Sequence, residues 1–352
     1  MVPQTNYHRN DHDDVPFNTI WQSVFIATLR HNVEKMWPES RNPEPPRSPI
    51  RLASKSKRFG IAELRFGRLA HLDSKNQMQF SLETENETIP SVNPPGEDRP
   101  QRNHPTTQIL VRIKEWPGNT FRLWLPEHVA PDLWSNYHQE EAAQAFGPNG
   151  NNGLIWRTTR NPTVIIEADL KSRNSSILME VRIKNRGSDD LMNVATMNCV
   201  QLSQAPDFAC DDLSRLYIRS DDQWRPLSHR KPISDYPTYY RPGYLEEGSV
   251  GIWGGKLDHL TEAVRADHPL MVCLSKDGQR SISTAADHYY FLFHNQANKQ
   301  LLCIHSNPEP RPVLRPGETA IIRQTVYFNN GGLMACVTAH DADRLMIQNR
   351  FR

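Results

Sequence analysis

The chain has 352 residues, 37% of them hydrophobic, and a formal net charge of +1. That length suits one large β domain or two smaller ones. The near-zero charge gives no global drive toward nucleic acid or a membrane surface, and no apolar run approaches the length of a membrane span. Twenty-seven prolines and the low apolar content imply a large irregular fraction.

Five cysteines, at 199, 210, 273, 303 and 336, are odd in number and show no CxxC or CxC spacing. Reduced, buried thiols are therefore expected in place of a disulfide framework, which favours a cytoplasmic compartment. The first fourteen residues carry Asp11, Asp13 and Asp14 where a signal peptide would carry a basic region, so no signal peptide is expected unless the start is misassigned.

Residues 1–105 are expected to form a poorly ordered or peripheral region. Phe17, Ile20, Trp21, Val24, Phe25, Leu29, Val33 and Met36 recur at helical spacing, which predicts one amphipathic helix over Phe17–Met36. Pro38–Pro49 is proline-rich linker, and the basic Arg47–Arg58 run reads as solvated linker. Ile61–Phe66 and Met78–Leu82 are short strand candidates.

The main domain is expected over 106–335. Gln108–Ile113, Thr120–Leu125, Thr163–Ala168, Ile177–Lys184, Val194–Leu202, Leu216–Arg219, Trp224–Leu227 and Leu270–Leu274 are strand-like, as are segments of 287–305 and Glu318–Phe328. Pro131–Phe146 predicts a short helix, and GPNGNNG at 147–153 a break. Ala320, Ile322, Gln324, Val326 and Phe328 share one face of the last strand, which the Pro316-Gly317-Glu318 turn introduces. Many short strands with few helices, and no βαβ alternation, indicate an all-β, antiparallel β-sandwich. Residues 336–352 are left as a C-terminal tail. Ser228–Asp267 is a long insertion dense in Tyr and Trp, and its aromatic content argues against disorder.

The segment from Ala286 to Pro308 predicts a hairpin that carries His288, His294 and His305. A register with His294 opposite Leu301, Tyr290 opposite His305 and His288 opposite Asn307 collects Tyr289, Phe291, Phe293, Leu302 and Ile304 on one apolar face. His288, Tyr290, His294, Cys303 and His305 then share the other. That register pairs His288 with His305 and sets His294 apart. The bland reading is that these histidines hydrogen-bond within a partly wet layer. A polar ligand or catalytic site, or a metal site needing a third ligand, are the alternatives. Proton-transfer roles are expected for His288, His305 and His294, with no metal and no cofactor.

In the insertion, Tyr239, Tyr240 and Trp253 offer flat aromatic faces suited to sugars or protein partners. Arg219 and Lys256 are candidate cations for an acidic ligand. GxSxG, HExxH, P-loop and GxGxxG patterns are all absent.

Three features in chain order resemble a known group: EVRIKNRGSDDL at 180–191, FHN…CIHSNP at 293–308 and RPGETAIIRQTVYF at 315–328. Together they resemble largely uncharacterised bacterial β-sandwich proteins, some related to the galactose-mutarotase-like supersandwich of carbohydrate-active enzymes. The resemblance covers about residues 106 to 335 and implies a supersandwich-like fold and a sugar ligand. The mutarotase pattern of a His acid and a Glu base does not map onto this chain, so no catalytic residue is carried over. The resulting expectation is a carbohydrate-active or carbohydrate-binding protein with acid–base chemistry on a sugar. The alternative is a non-catalytic protein- or glycan-interaction module. No nucleic-acid partner is expected, and the oligomeric state is not legible.

Overall fold

The structure is a computed structural model, and it describes residues 78–90, 103–131, 133–135, 145–158, 162–229, 238–242, 265–295 and 302–350. The candidate helix at Phe17–Met36, the linker prolines, Trp253 and Lys256 lie outside the described residues.

In chain order the strands are β1 (Phe80–Pro90), β2 (Asn103–Ile113), β3 (Thr120–Ala130), β4 (Trp134–Ser135), β5 (Gly147–Pro148), β6 (Gly153–Thr158), β7 (Val164–Arg173), β8 (Ser176–Asn185) and β9 (Leu191–Gln201). There follow β10 (Leu216–Ser220), β11 (Gln223–Pro226), β12 (Thr238–Tyr240), β13 (Met271–Leu274), β14 (Arg280–Ala286), β15 (Tyr289–Asn295), β16 (Cys303–Pro308), β17 (Arg311–Leu314) and β18 (Thr319–Asn330). A helix, α1, spans Leu333–Arg350.

Two antiparallel sheets result. The first runs β1-β2-β3-β9-β16-β15-β12, with β17 beside β9 and β4 beside β3; the second runs β11-β10-β13-β14-β18-β8-β7-β6-β5. This is the all-β, sandwich-like architecture expected from the strand pattern. The alternation read in β8 is present: Ile177, Met179, Val181 and Ile183 are fully buried. On the opposite face of that sheet, Arg182 pairs with Glu167 at 2.7 Å and Arg323 with Glu180 at 2.6 Å. Charges meet across strands there because period-2 alternation puts them together on the face away from the core.

The core between the sheets is mostly aliphatic and contains a cluster of aromatic rings. Trp116 stacks on Phe208 at 5.3 Å, and Phe121 meets Phe208 and Phe328 edge-on at 5.3 Å each. The buried indole of Trp116 donates to Asn330 Oδ1 at 2.9 Å. A polar chain also bridges the sheets: Asn198 Nδ2 donates to Gln324 Oε1 at 3.2 Å, and Gln324 Nε2 donates to Thr284 Oγ1 at 2.7 Å. Such pairing offsets the cost of burying an amide.

Local sequence signals explain the turns. At Arg315-Pro316-Gly317-Glu318, Gly317 has φ +83° and Glu318 N–H donates to Arg315 O at 3.0 Å. That is the left-handed third position that a Pro-Gly turn supplies. Gly331, at φ +144°, joins β18 to α1, and a Cβ there would lie 2.7 Å from the Ala335 Cβ.

Two segments differ from expectation, and a third is mostly not described. β1 pairs with β2 along its whole length, from Phe80–Ile113 to Pro90–Asn103, so the sheet begins well before residue 106. Residues 336–352, expected as a tail, are largely α1, whose Cys336 and Val337 pack with Leu270, Val272, Ala285 and Tyr327 on the outer side of the second sheet. The helix expected over Pro131–Phe146 falls mostly outside the described residues, and its described start carries β4.

Phe328→Ala is expected to cost about 3–5 kcal/mol, because it empties a site with no surface access beside the rings of Phe80, Trp116 and Phe121. Ile321→Ser, on the exposed alternate position, is expected to stay within about 0.5 kcal/mol. Urea unfolding of both variants measures the contrast.

Candidate functional site

The 286–308 segment adopts a different register from the expected one. Phe293 lies opposite His305, His294 opposite Ile304 and Phe291 opposite Asn307, with an irregularity between Tyr289 and Phe291. Relative to expectation the return strand is shifted by three residues. An odd shift moves every side chain to the other face. The expected gathering of Tyr290, His294 and His305 on one face is therefore corrected. Its premise was one wet face, but Leu292, His294 and all six residues of β16 are buried. With both faces buried, segregating apolar from polar side chains no longer selects a register.

The three histidines part company. His288 is exposed, in the turn that carries the chain from β14 of the second sheet to β15 of the first. The register puts it five residues along β15 from His305's partner, roughly 17 Å at the rise of a strand, so the structure does not pair His288 with His305. His294 faces the core between the sheets, beside Leu292 and Ile304. Its Nε2 lies 3.0 Å from the Tyr239 hydroxyl, and the two rings stack at 5.8 Å. Burial, first, and the nearby His305 imidazole push His294 down to a pKa of about 3. A histidine held neutral in this way serves as a hydrogen-bonding core residue.

His305 projects from the opposite face of the same sheet, which faces away from the second sheet. There it meets Cys303 of its own strand, Glu127 of β3 and Phe293 of β15. Its Nε2 is 3.0 Å from Cys303 Sγ, its Nδ1 is 3.7 Å from Glu127 Oε2, and its ring meets Phe293 edge-on at 4.9 Å. Cys303 and His305 share a face because they are two apart in a strand. Val200 lies opposite Ile304, which brings Cys199 beside His305. Cys199, Cys303 and Trp124 form a small buried cluster of their own.

Glu127 reaches this face through a bulge. Trp124 pairs with Cys199 and His128 with Met197, so Leu125, Pro126 and Glu127 together oppose Asn198 alone. Extra residues in one strand re-aim their side chains, and here the result is a buried carboxylate beside His305. Burial favours neutral His305, but the Cys303 sulfur and the Glu127 carboxylate outweigh it and raise its pKa above the ordinary value. Burial, and then the hydrogen bond to Cys303, push the Cys199 thiol well up.

The same face continues as a row of polar side chains. The pairings Leu110–Arg122, Arg122–Gln201 and Phe291–Asn307 place Arg122, Gln201 and Asn307 on it, together with Gln108 two residues before Leu110. Gln108, Gln201 and Asn307 are each no more than 1% exposed. Neither amide atom of Asn307 has a hydrogen-bond partner among the described residues.

The other candidates lie apart from this group. Tyr239 is the partner of His294 and faces the core. Tyr240 sits opposite Phe291 in β12. Arg219 belongs to the second sheet and is engaged by Asp222 at 2.7 Å and Asp267 at 3.6 Å. Sequence reasoning found Cys303 beside His305 by spacing. It missed Glu127, Cys199, Gln201 and Asn307, because only strand order across the sheet brings them together.

No protein-family model matches the chain, and no curated protein matches it. Similar solved structures include Slr1438 from Synechocystis, at 11% identity and TM-score 0.40, covering 63% of this chain and 88% of that one. A galactose mutarotase-like protein from Lactobacillus casei matches at 8% identity and TM-score 0.37, covering 69% and 100%. An α-N-acetylgalactosaminidase from Bifidobacterium bifidum matches at 11% identity and TM-score 0.40, covering 70% of this chain and 37% of that one. The galactose-mutarotase-like resemblance thus recurs among solved structures, at a level too remote to carry function. No helix among the described residues is long and apolar enough to cross a membrane.

His294 titrates near 6.5 when unfolded and near 3 when folded. Its contribution to stability is complete above the unfolded value and is lost as pH falls toward the folded one. Between about pH 6 and pH 4 the protein is expected to lose roughly 2 kcal/mol more than His294→Gln does. Urea unfolding at each pH is the measurement, and parallel curves would refute the neutral, buried assignment.

Proposed function

We propose that the outer face of the first sheet, centred on His305, binds a small polyhydroxylated ligand, with a sugar as the leading class. The observation that carries this reading is Asn307. Its side-chain amide is buried, yet its donor and its acceptor both lack partners among the described residues. Leaving such a group unsatisfied costs about 1–3 kcal/mol, and a vicinal diol satisfies an amide's donor and acceptor together. Gln201 and the Arg122 guanidinium on the same face add further polar groups, and the Trp124 ring offers an apolar face of the kind that C–H-rich sugar surfaces meet.

A second reading, acid–base chemistry on the bound sugar, is favoured by the His305–Glu127 approach of 3.7 Å. A carboxylate beside Nδ1 orients the ring and supports a proton there, and Nε2 would reach a ligand by exchanging its 3.0 Å contact with Cys303 Sγ. Of the three histidines first considered, only His305 has this support. His288 is exposed in a turn, and His294 is tied to Tyr239.

Calorimetry against a panel of free hexoses and hexuronates tests the binding reading. At least one member is expected to bind. Asn307→Ala and Gln201→Ala are each expected to weaken that binding about tenfold or more, equivalent to about 1.4 kcal/mol, with near-UV circular dichroism unchanged. Absence of binding across the panel, or unchanged affinity in both variants, counts against it.

A further inference from the structure

Three soft or borderline metal donors converge at the same place. The ligand atoms of Cys199, Cys303 and His305 all lie within 4.8 Å of one another, and the His305 Nε2 to Cys303 Sγ distance is 3.0 Å. Around a tetrahedral zinc, bond lengths near 2.3 Å to sulfur and 2.0–2.1 Å to nitrogen imply about 3.8 Å between two sulfurs and about 3.5 Å between sulfur and nitrogen. The donors thus already lie within about 1 Å of the separations that one ion would set. Glu127 supplies an independent sign. Its carboxylate approaches His305 Nδ1, the nitrogen that a metal on Nε2 leaves to carry the proton. Metal-bound histidines depend on such a partner to fix their tautomer.

We propose that Cys199, Cys303 and His305 bind a single zinc ion on the outer face of the first sheet, with Glu127 orienting His305 and the fourth coordination position open. The donor set selects the metal class, since two thiolates and an imidazole suit zinc and exclude calcium and magnesium, which take oxygen ligands. Both thiols give up their protons on binding, so their two negative charges balance the ion within a buried site. Three protein ligands with a free fourth position leave room for a water or a ligand hydroxyl, in reach of the face that bears Asn307 and Gln201. With zinc seated, His305 is a ligand, and the proton-transfer group on that face is the metal-bound water.

A second cluster, His268, His340 and Asp341, does not compete. His268 Nδ1 accepts the Leu270 N–H at 3.3 Å. That fixes its proton on Nε2 and leaves neither nitrogen a free lone pair.

The zinc proposal shares its place with the sugar reading and does not depend on it. The test uses the full-length protein, stripped with a chelator under reducing conditions and titrated with Co(II). One equivalent is expected to produce a near-ultraviolet thiolate-to-cobalt charge-transfer band with the visible bands of a tetrahedral site, and Zn(II) is expected to abolish both. Cys199→Ser and Cys303→Ser are each expected to lose the charge-transfer intensity in part, the double variant entirely, and His340→Gln to keep it. The wild-type titration needs no variant to fold. A reduced, folded wild-type protein that shows no charge-transfer band at one equivalent overturns the proposal, as does a band that survives in the double variant. Sugar binding without cobalt uptake overturns the zinc site alone, and cobalt uptake without sugar binding overturns the sugar reading alone.

Discussion

Strands β9 and β16 lie side by side in the first sheet, and neither face of either is open to water along most of its length. One face packs against the second sheet, and the other carries Cys199, Gln201, Cys303, His305 and Asn307. Removing water from both faces at once sets the terms for every polar group on these strands. Each must find a protein partner, bind a ligand or carry the cost of its isolation. On the inner face the Asn198–Gln324–Thr284 chain pairs the Asn198 amide nitrogen and both ends of Gln324 and ties the two sheets together.

The same constraint separates two histidines that are close in sequence order and in space. His294 and His305 project from opposite faces of neighbouring strands. Both are buried, yet they are driven in opposite directions. His294 has a phenol and apolar neighbours, so burial wins and the ring stays neutral. His305 has a thiol on one side and a carboxylate on the other, so electrostatics win against burial. The difference lies in what the adjacent strands contribute, and not in depth.

Much of the fold was legible in the residues. The alternation in Ile177–Lys184, the shared face of Ala320 to Phe328 and the Pro316-Gly317 turn each follow from local geometry, and all three are present. The hairpin register was not legible, because the apolar pattern of Tyr289–Phe293 selects a register only when one face is wet. The site was legible in one pair, Cys303 and His305, which two-residue spacing places together. Glu127 and Cys199 join them through the order β3-β9-β16, a long-range arrangement of which neighbouring residues give no sign. His288, which the segregated register places beside His305, lies instead in a turn between sheets because the chain changes layers there.

The bulge at Leu125–Glu127 inserts two residues, and two is an even number. Trp124 before it and His128 after it therefore keep the same facing, and the ladder with β9 resumes as though uninterrupted. The carboxylate of Glu127 is thus an addition to a strand that would remain continuous without it: shortening the loop by two residues would close the gap and leave every other side chain on its present side. The chemistry of this face is in that respect separable from the architecture beneath it. Closely related sandwiches with and without this acidic residue could share one core, differing by a deletion that the sheet itself would not register.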